Sequence, residues 1–325
     1  MRTFSFIRSK KLIKMPVFQI QHTTQYDYDY PVWESANSIK LYPRTHEGQE
    51  ILSQQVQLSD KEARIETYKD YFGNTVGVFN ILANHQTLII DSVLTVRIPT
   101  RTVSTDPGDM SDWERMGVAK QEQILLLDLA RPEALSEKGQ AVLADCFSGD
   151  QTPFEAVMSS MAYVFERFQY IKGITDVETT LEEVLSLGSG VCQDFDHVQL
   201  YLLRSRGIPA RYVSGYICPN KNGLRGEGAT HAWVEAWLPD RGWVGVDPTN
   251  NVLVSDTHVT LSVGRNFKDC TPVKGVFKGG ASHALSVYVS VGYEDGYVSS
   301  DHNALKANKI IVSSETTDHV QQQQQ

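Results

Sequence analysis

The chain has 325 residues, of which 41% are hydrophobic and 21% are charged, a composition typical of a soluble globular protein. This length exceeds what one compact domain usually needs, so two folded units are expected. The formal net charge of −9 argues against a nucleic acid or an anionic membrane as a partner.

The N-terminal and cysteine-containing segments indicate the compartment. Residues 1–16 are basic, but no apolar run of signal-peptide length follows, so we treat them as an N-terminal extension. No segment approaches the roughly 20 apolar residues of a membrane helix. The cysteines Cys146, Cys192, Cys218 and Cys270 are too widely spaced for a disulfide framework or a zinc knuckle. We therefore predict a cytoplasmic protein with reduced thiols.

Residues 17–97 carry the pattern of an antiparallel β domain. Phe18, Ile20, His22, Thr24 and Tyr26 alternate with polar residues, the period of two that places one face on a core. The segment 86–98 is rich in Leu, Ile and Val and predicts a buried strand, and 71–74 predicts a turn. The aromatic residues of 26–33 could bind a ligand, although packing is their commoner role.

A polar segment at 98–118 predicts a linker, and a helical region follows within a second unit at 119–298. Thr152 with Glu155, and Thr179 with Glu182, form S/T-x-x-E capping patterns that predict two helix starts. A third helix is predicted after Gly190, ending at Gly207. Strands are predicted at 210–217, 231–238, 242–246 and 284–293. For the polar residues 299–325 we predict a disordered tail.

Cys192 is the first candidate for chemistry. It follows Gly188-Ser189-Gly190-Val191 at the predicted start of a helix, where free backbone N–H groups and the helix dipole favour a thiolate. The thiolate is the nucleophilic form of cysteine. A lone cysteine is nevertheless more often a small buried hydrophobic residue.

His231 and Asp247 are candidates for a base and its orienting carboxylate. His231 begins one predicted strand and Asp247 ends the next, so a hairpin through 238–242 would bring them together. Each has an ordinary alternative, a packing histidine and an Asp-Pro turn cap. Glu235 lies on the same strand face as His231 and is a weaker rival for the orienting role.

The sequence resembles the transglutaminase-like superfamily, specifically its bacterial members with an extra N-terminal β domain. The resemblance rests on Gly190-Val191-Cys192-Gln193-Asp194-Phe195, Gly207-Ile208-Pro209-Ala210-Arg211-Tyr212, His231-Ala232-Trp233-Val234-Glu235 and Gly242-Trp243-Val244-Gly245-Val246-Asp247-Pro248-Thr249-Asn250. His22-Thr23-Thr24-Gln25-Tyr26-Asp27-Tyr28 and Leu41-Tyr42-Pro43-Arg44 resemble the family's N-terminal domain. The likeness spans residues 17–291.

This resemblance implies an α+β, papain-like core in which a cysteine-bearing helix packs on an antiparallel sheet. The family's catalytic triad maps onto Cys192, His231 and Asp247. Tyr170 and Trp233 are expected as an oxyanion donor or pocket wall. The expected substrate is a protein or peptide amide, resolved through a thioester by water or by an amine. No D-x-D-x-D calcium spacing is present, so neither a metal nor another cofactor is predicted.

Two residues depart from the family pattern. Asp196 stands where a small apolar residue is typical, and Asn266 stands where an aspartate is usual. A carboxylate near the thiol would oppose thiolate formation unless it points to solvent. A catalytically silent module that presents an aromatic cleft to a peptide is the alternative function, and loss of a triad residue would have favoured it.

Overall fold

The computed structural model describes residues 15–46, 48–99, 104–218, 224–225 and 230–293, together with the backbone of 310–312 and 320–321. The strands are β1 (Val17–Tyr42), β2 (Glu50–Leu58), β3 (Glu66–Lys69), β4 (Thr75–Ile81), β5 (His85–Arg97), β6 (Gln169–Tyr170), β7 (Ser189–Gly190), β8 (Ala210–Ile217), β9 (Thr230–Leu238), β10 (Gly242–Asp247), β11 (Val252–Leu253), β12 (His258–Gly264), β13 (Val273–Lys278), β14 (His283–Tyr293), β15 (Ile310–Val312) and β16 (Val320–Gln321). The helices are α1 (Asp112–Glu122), α2 (Ile124–Leu129), α3 (Glu137–Val142), α4 (Pro153–Arg167), α5 (Leu181–Leu187), α6 (Cys192–Ser205) and α7 (Phe267–Cys270).

The first sheet is organised by β1, a strand of 26 residues. Its even-numbered residues from Phe18 to Tyr28 are buried, as the period-two pattern predicts. The strand changes register between Trp33 and Ala36, and Glu34 there has a φ of 48°. Because of this irregularity, the first half of β1 pairs with β5 and β14, and the second half pairs with β4 and β13. Tyr30 and Trp33 remain exposed at the irregular segment.

Strands from the C-terminal part of the chain complete this first sheet. β14 pairs with β1 continuously from Phe18 opposite Tyr293 to Tyr28 opposite His283, and β13 pairs with the second half of β1. The sequence prediction placed these strands in the second unit, 119–298, because alternation identifies a strand without identifying its partner.

The structure describes only parts of the predicted N-terminal extension and of the predicted C-terminal tail. Within the predicted disordered tail, 299–325, the structure describes 310–312, where β15 pairs with β14, and 320–321, where β16 pairs with β13. The rest of that tail lies outside the described residues. The predicted N-terminal extension, 1–16, is described only at Met15 and Pro16.

The second sheet is antiparallel, has the strand order β11-β10-β9-β8-β12, and carries helices on one face. Apolar side chains of α4 and α6 form one core with alternate residues of β9 and β10, including Ala232, Val234 and Val246. Burial of each such aliphatic side chain contributes about 1.5–3 kcal/mol. The architecture is the predicted α+β arrangement of a cysteine-bearing helix packed on an antiparallel sheet.

Local capping fixes where the helices begin. Thr152 Oγ1 accepts from the Glu155 N–H at 3.2 Å, and Glu155 Oε2 accepts from the Thr152 N–H at 2.9 Å, which is the predicted capping box of α4. The second box uses Thr180 and Glu183, one residue later than predicted. Helix α1 begins inside the predicted linker. Among the helices of the described residues, none has the length and apolarity needed to cross a membrane.

The two sheets meet at a contact that is both apolar and polar. Phe18, Ile20 and Val96 of the first sheet pack with Tyr216 and Val259 of the second. Beside this cluster, two side-chain amides bind the backbone of β12 as a neighbouring strand would. Gln49 Nε2 donates to the Thr260 carbonyl and Gln49 Oε1 accepts from the Thr260 N–H, both at 2.8 Å.

Asn74 repeats this arrangement at Val263. Its Nδ2 donates to the Val263 carbonyl at 2.7 Å, and its Oδ1 accepts from the Val263 N–H at 2.9 Å. The preceding turn depends on Gly73, which has a φ of 77°. The predicted turn at 71–74 therefore ends at Asn74, whose side chain joins the two sheets.

Asn74→Ala is expected to lower the free energy of unfolding by more than about 2 kcal/mol, because two buried backbone groups of Val263 lose their partners at about 1–3 kcal/mol each. Denaturant unfolding would measure the change. Asn80→Ala is the control, since Asn80 is exposed on β4, and it should change the free energy by about 0.5 kcal/mol or less. Equal effects of the two substitutions would contradict the coupling of the sheets through Asn74.

Candidate active site

Cys192 occupies the first position of α6, and its segment is held by a neighbouring carboxylate. Asp194 Oδ2 accepts from the Val191 N–H at 2.8 Å and from Thr175 Oγ1 at 2.6 Å. A Cβ added to Gly190 would lie 2.5 Å from Asp194 Oδ2, so only glycine fits there. The first turn of a helix leaves N–H groups without carbonyl partners inside the helix. Cys192 itself is 0% exposed.

The hairpin of β9 and β10 brings His231 and Asp247 together. The pairing runs from Leu238 opposite Gly242 to Val234 opposite Val246, and Asp247 follows directly. His231 Nε2 lies 2.9 Å from Asp247 Oδ2, and both side chains are fully buried. The other ring nitrogen, Nδ1, is also buried and makes no hydrogen bond of standard geometry within the described residues.

The electrostatics favour a protonated imidazole. Burial alone would lower the pKa of His231, but the charge and hydrogen bond of Asp247 outweigh it, and Cys192 adds a further hydrogen-bonding and charge contribution. The pKa of His231 is therefore raised well above its ordinary value. Protonation of His231 beside Cys192 is the condition for a thiolate–imidazolium pair.

Asp247 is a buried carboxylate, and each of its two oxygens accepts hydrogen bonds. Oδ1 accepts from the N–H groups of Thr249 at 2.9 Å and Asn250 at 3.2 Å. Oδ2 lies 2.7 Å from Asn250 Nδ2 and 3.4 Å from His258 Nε2, in addition to its contact with His231. Burial would raise the pKa of Asp247, but the neighbouring histidines outweigh that effect and hold the pKa below its usual range.

The structure places the two predicted pocket residues differently. Tyr170 lies on β6, which pairs in parallel with Gly190 and Ser189 immediately before Cys192. Burial raises the pKa of Tyr170, and the charge of Cys192 raises it further. Trp233 packs with Val213 and Val263, in a cluster separate from that of Cys192, and its ring stacks against the His231 ring with centroids 6.4 Å apart. The roles of both residues as oxyanion donor or pocket wall stay predictions.

Glu235, the weaker rival for the orienting role, pairs with an arginine and not with His231. Its Oε2 accepts from Arg211 Nε at 2.7 Å. The carboxylate that contacts His231 is that of Asp247.

Sequence reasoning missed His258. Its ring lies 5.1 Å from Trp233 and 6.3 Å from His231 between centroids, and its Nε2 faces Asp247. It comes from β12, at the opposite end of the sheet order from the hairpin, so no local motif places it near Asp247.

The two departures from the family pattern have different surroundings. Asn266 Oδ1 accepts from the Lys268 N–H at 3.1 Å and caps α7. Asp196 does not point to solvent: it is 0% exposed, and both carboxylate oxygens are without a hydrogen-bond partner in the described part of the chain. No group of three or more metal-ligating side chains occurs among the residues that the structure describes.

Comparisons with protein families and known proteins agree with this geometry. The model described as the transglutaminase-like superfamily matches residues 140–248. The model described as the bacterial transglutaminase-like N-terminal region matches residues 18–97. The first match contains Cys192, His231 and Asp247.

Relatives extend the likeness over most of the chain. An uncharacterized protein of Mycobacterium leprae is 32% identical over 278 residues, covering 84% of this chain and 97% of that protein. An uncharacterized protein of Mycobacterium tuberculosis is 30% identical over 273 residues, covering 80% and 87%. A protein-glutamine gamma-glutamyltransferase of Pseudomonas aeruginosa is 44% identical over 69 residues, which are 20% of this chain and 10% of that protein.

A solved structure of a candidate cysteine protease from Cytophaga hutchinsonii superposes with a TM-score of 0.65 at 18% identity, covering 95% of this chain and 98% of that one. At this identity the likeness shows the fold. The arrangement of an N-terminal β domain and an α+β core is therefore shared by an experimentally determined structure.

Asp247→Asn is expected to lower the pKa of His231, because burial is then opposed only by the smaller contribution of Cys192. An NMR titration of the His231 imidazole would measure the shift. Glu235→Gln is the matched control, since it neutralises a carboxylate on the same strand that pairs with Arg211. A His231 pKa unchanged by Asp247→Asn would contradict the interpretation.

Proposed function

The chain belongs to the transglutaminase-like superfamily, and we propose that it is a cysteine-dependent enzyme that cleaves or exchanges an amide bond. Cys192 is the nucleophile, His231 the acid–base group and Asp247 the orienting carboxylate. The observation that carries this proposal is the buried 2.9 Å contact of His231 with Asp247 next to a cysteine at a helix start.

The environment of Cys192 supports its assignment as the nucleophile. Burial raises the pKa of Cys146 and of Cys270 to about 12, and it raises that of Cys218 well above its ordinary value. These three thiols stay protonated and inert at neutral pH. Cys192 is equally buried but faces a histidine that Asp247 keeps protonated. A thiolate at this position is stabilised by the imidazolium and by the free N–H groups of the first turn of α6.

The acylation step begins with attack of the thiolate on the carboxamide carbon. A sulfur–carbon bond forms, the carbonyl π electrons move to oxygen, and the proposed donor to this oxyanion is the backbone N–H of Cys192. His231 then gives its proton to the leaving nitrogen. Ammonia or an amine departs as the carbonyl re-forms, which leaves a thioester on Cys192.

The deacylation step reverses the proton transfer. Neutral His231 removes a proton from water or from a primary amine as that nucleophile attacks the thioester. Cys192 leaves as the thiolate, and the products are a carboxylic acid or a new amide. Asp247 holds the imidazole orientation through both steps, because its remaining oxygen positions are occupied by Asn250, Thr249 and His258.

A protein or peptide amide is the proposed substrate class. The gamma-glutamyltransferase of Pseudomonas aeruginosa and the candidate cysteine protease of Cytophaga hutchinsonii both bear names that refer to such amides. A glutamine side chain is the simplest donor for a reaction that releases ammonia.

Alkylation of the native protein tests the nucleophile without a substrate. At neutral pH, iodoacetamide should modify Cys192 about tenfold or more faster than Cys146, Cys218 or Cys270, since those thiols have raised pKa values. Peptide mass spectrometry would give the four rates. His231→Ala should slow the modification of Cys192 by about tenfold, while His85→Ala, a substitution in the first sheet, serves as its control. Uniform slow labelling of all four cysteines would remove the basis for the proposal.

Turnover tests the reaction itself. Incubation with a pool of glutamine-containing peptides and a labelled primary amine should release ammonia and incorporate the amine if transfer occurs, or release ammonia alone if water is the acceptor. Cys192→Ala should lower either rate at least a thousandfold, on the order expected for loss of a covalent nucleophile. Cys146→Ala is the matched cysteine control. Undiminished turnover in Cys192→Ala would exclude the thioester route.

A further inference from the structure

The buried face of α6 carries a polar group that the proposed mechanism does not use. Asp196 and Gln199 follow Cys192 by four and seven residues, so the three side chains lie along one side of the helix. Asp196 and Gln199 are both 0% exposed. Helix α4 packs against α6 and contributes Ser160, which is also fully buried.

Asp196, Gln199 and Ser160 form a buried polar layer between α6 and α4. The hydrogen bonds observed in this layer run in one direction, from Gln199 through Ser160 to the backbone of α4. Ser160 Oγ donates its proton to the Val157 carbonyl at 2.8 Å, so it can only accept from Gln199 Nε2, which lies at 3.3 Å. The amide oxygen of Gln199 then points away from Ser160. This Oε1 atom and both carboxylate oxygens of Asp196 are buried without a hydrogen-bond partner among the described residues.

The layer therefore presents three buried acceptor atoms to which no donor of the described residues is bonded. An ionised carboxylate can only accept hydrogen bonds, whereas a protonated one carries an O–H donor. Side chains three residues apart are neighbours on a helix surface, which makes Gln199 Oε1 a candidate acceptor for an O–H on Asp196. Protonation supplies the missing donor and extends the chain from Asp196 through Gln199 and Ser160 to the backbone of α4.

We propose that Asp196 is a neutral carboxylic acid in the resting protein, that it donates to Gln199 Oε1, and that it acts as a positioning residue for the helix that carries Cys192. Its neutrality also keeps a second anion away from the thiolate. This positioning role depends on the proposed function of Cys192, whereas the protonation state of Asp196 does not.

The groups that face Asp196 agree with a neutral form. Burial raises its pKa well above the ordinary value, and Cys192, Asp247 and Asp194 raise it further, whereas His231 lowers it. Tyr212 on β8 is a further titratable neighbour; burial raises the pKa of its phenol, and the charge of an ionised Asp196 would raise it further. Three of the four groups that act on Asp196 therefore oppose its ionisation.

A rotated Gln199 amide is the competing arrangement. Gln199 Nε2 would then donate to an ionised Asp196, and Ser160 would have to donate to Gln199 Oε1 instead of to the Val157 carbonyl. The two arrangements differ by one proton on Asp196, which infrared spectroscopy detects directly.

The test is the carbonyl stretch of a protonated carboxylic acid in the full-length protein at neutral pH. We expect a band that moves to lower frequency in D2O, is absent from Asp196→Asn and is retained in Asp112→Asn, which changes a buried carboxylate paired with Arg115. If Asp196→Asn does not fold, Gln199→Leu gives the second test, because loss of the acceptor should shift the same band to higher frequency. Absence of the band from the unsubstituted protein would overturn the proposal and indicate the rotated amide.

The pH dependence of Cys192 alkylation gives a second test of the protonation state of Asp196. If Asp196 were ionised, Asp196→Asn would remove a negative charge beside the thiol and shift the pH midpoint of Cys192 alkylation down by about one unit or more. With a neutral Asp196, the midpoint should move by clearly less than that. Because the infrared band needs no reactivity of Cys192, failure of this inference and failure of the proposed function can be told apart.

Discussion

The architecture of the candidate site depends on the burial of one negative charge. Asp247 is fully removed from solvent, and an uncompensated carboxylate there would cost several kcal/mol. The chain compensates it with two backbone N–H groups, one side-chain amide and two imidazoles. Those partners come from the β9–β10 hairpin, the turn after it and β12. The need to satisfy this carboxylate thus fixes the position of His231 relative to the sheet, and α6 brings Cys192 to the same point.

Buried residues of the same type have different surroundings in this fold, as the cysteines and the aspartates show. Burial raises the pKa of the Cys146, Cys218 and Cys270 thiols, whereas Cys192 lies beside an imidazole that Asp247 keeps protonated. The carboxyl groups differ in the same way. Asp247 has donors on both oxygens and stays ionised, whereas Asp196, one turn beyond the thiol, has none. The number of hydrogen-bond donors, and not the depth of burial, distinguishes the surroundings of Asp247 from those of Asp196.

Features that depend on nearby residues could be predicted from the sequence. The cap of α4 at Thr152 and the approach of Asp247 to His231 follow from patterns within about 20 residues of each other, and the sequence resemblance gave the superfamily. The second cap was misplaced because Thr179-Glu182 and Thr180-Glu183 have identical spacing, and only the packed helix selects between them. His258 was missed although it lies only 11 residues after Asp247, because its position depends on the pairing of β12 with the earlier strand β8. The pairing of β14 with β1 was missed for the same reason. Strand alternation carries no information about which distant strand is the partner.

The pairing of β1 with β14 has a consequence for how the protein is made. A ribosome adds about 5–20 residues per second to the chain, so β1 lacks its partner β14 for on the order of tens of seconds. During that interval, one edge of a long, apolar-faced strand is open to pairing with other nascent chains. The β5 strand, which is synthesised much earlier, can cover the opposite edge in the meantime. The edge of β1 that pairs with β14 therefore stays unpaired through most of translation, so this is the interval in which shielding by a chaperone would matter.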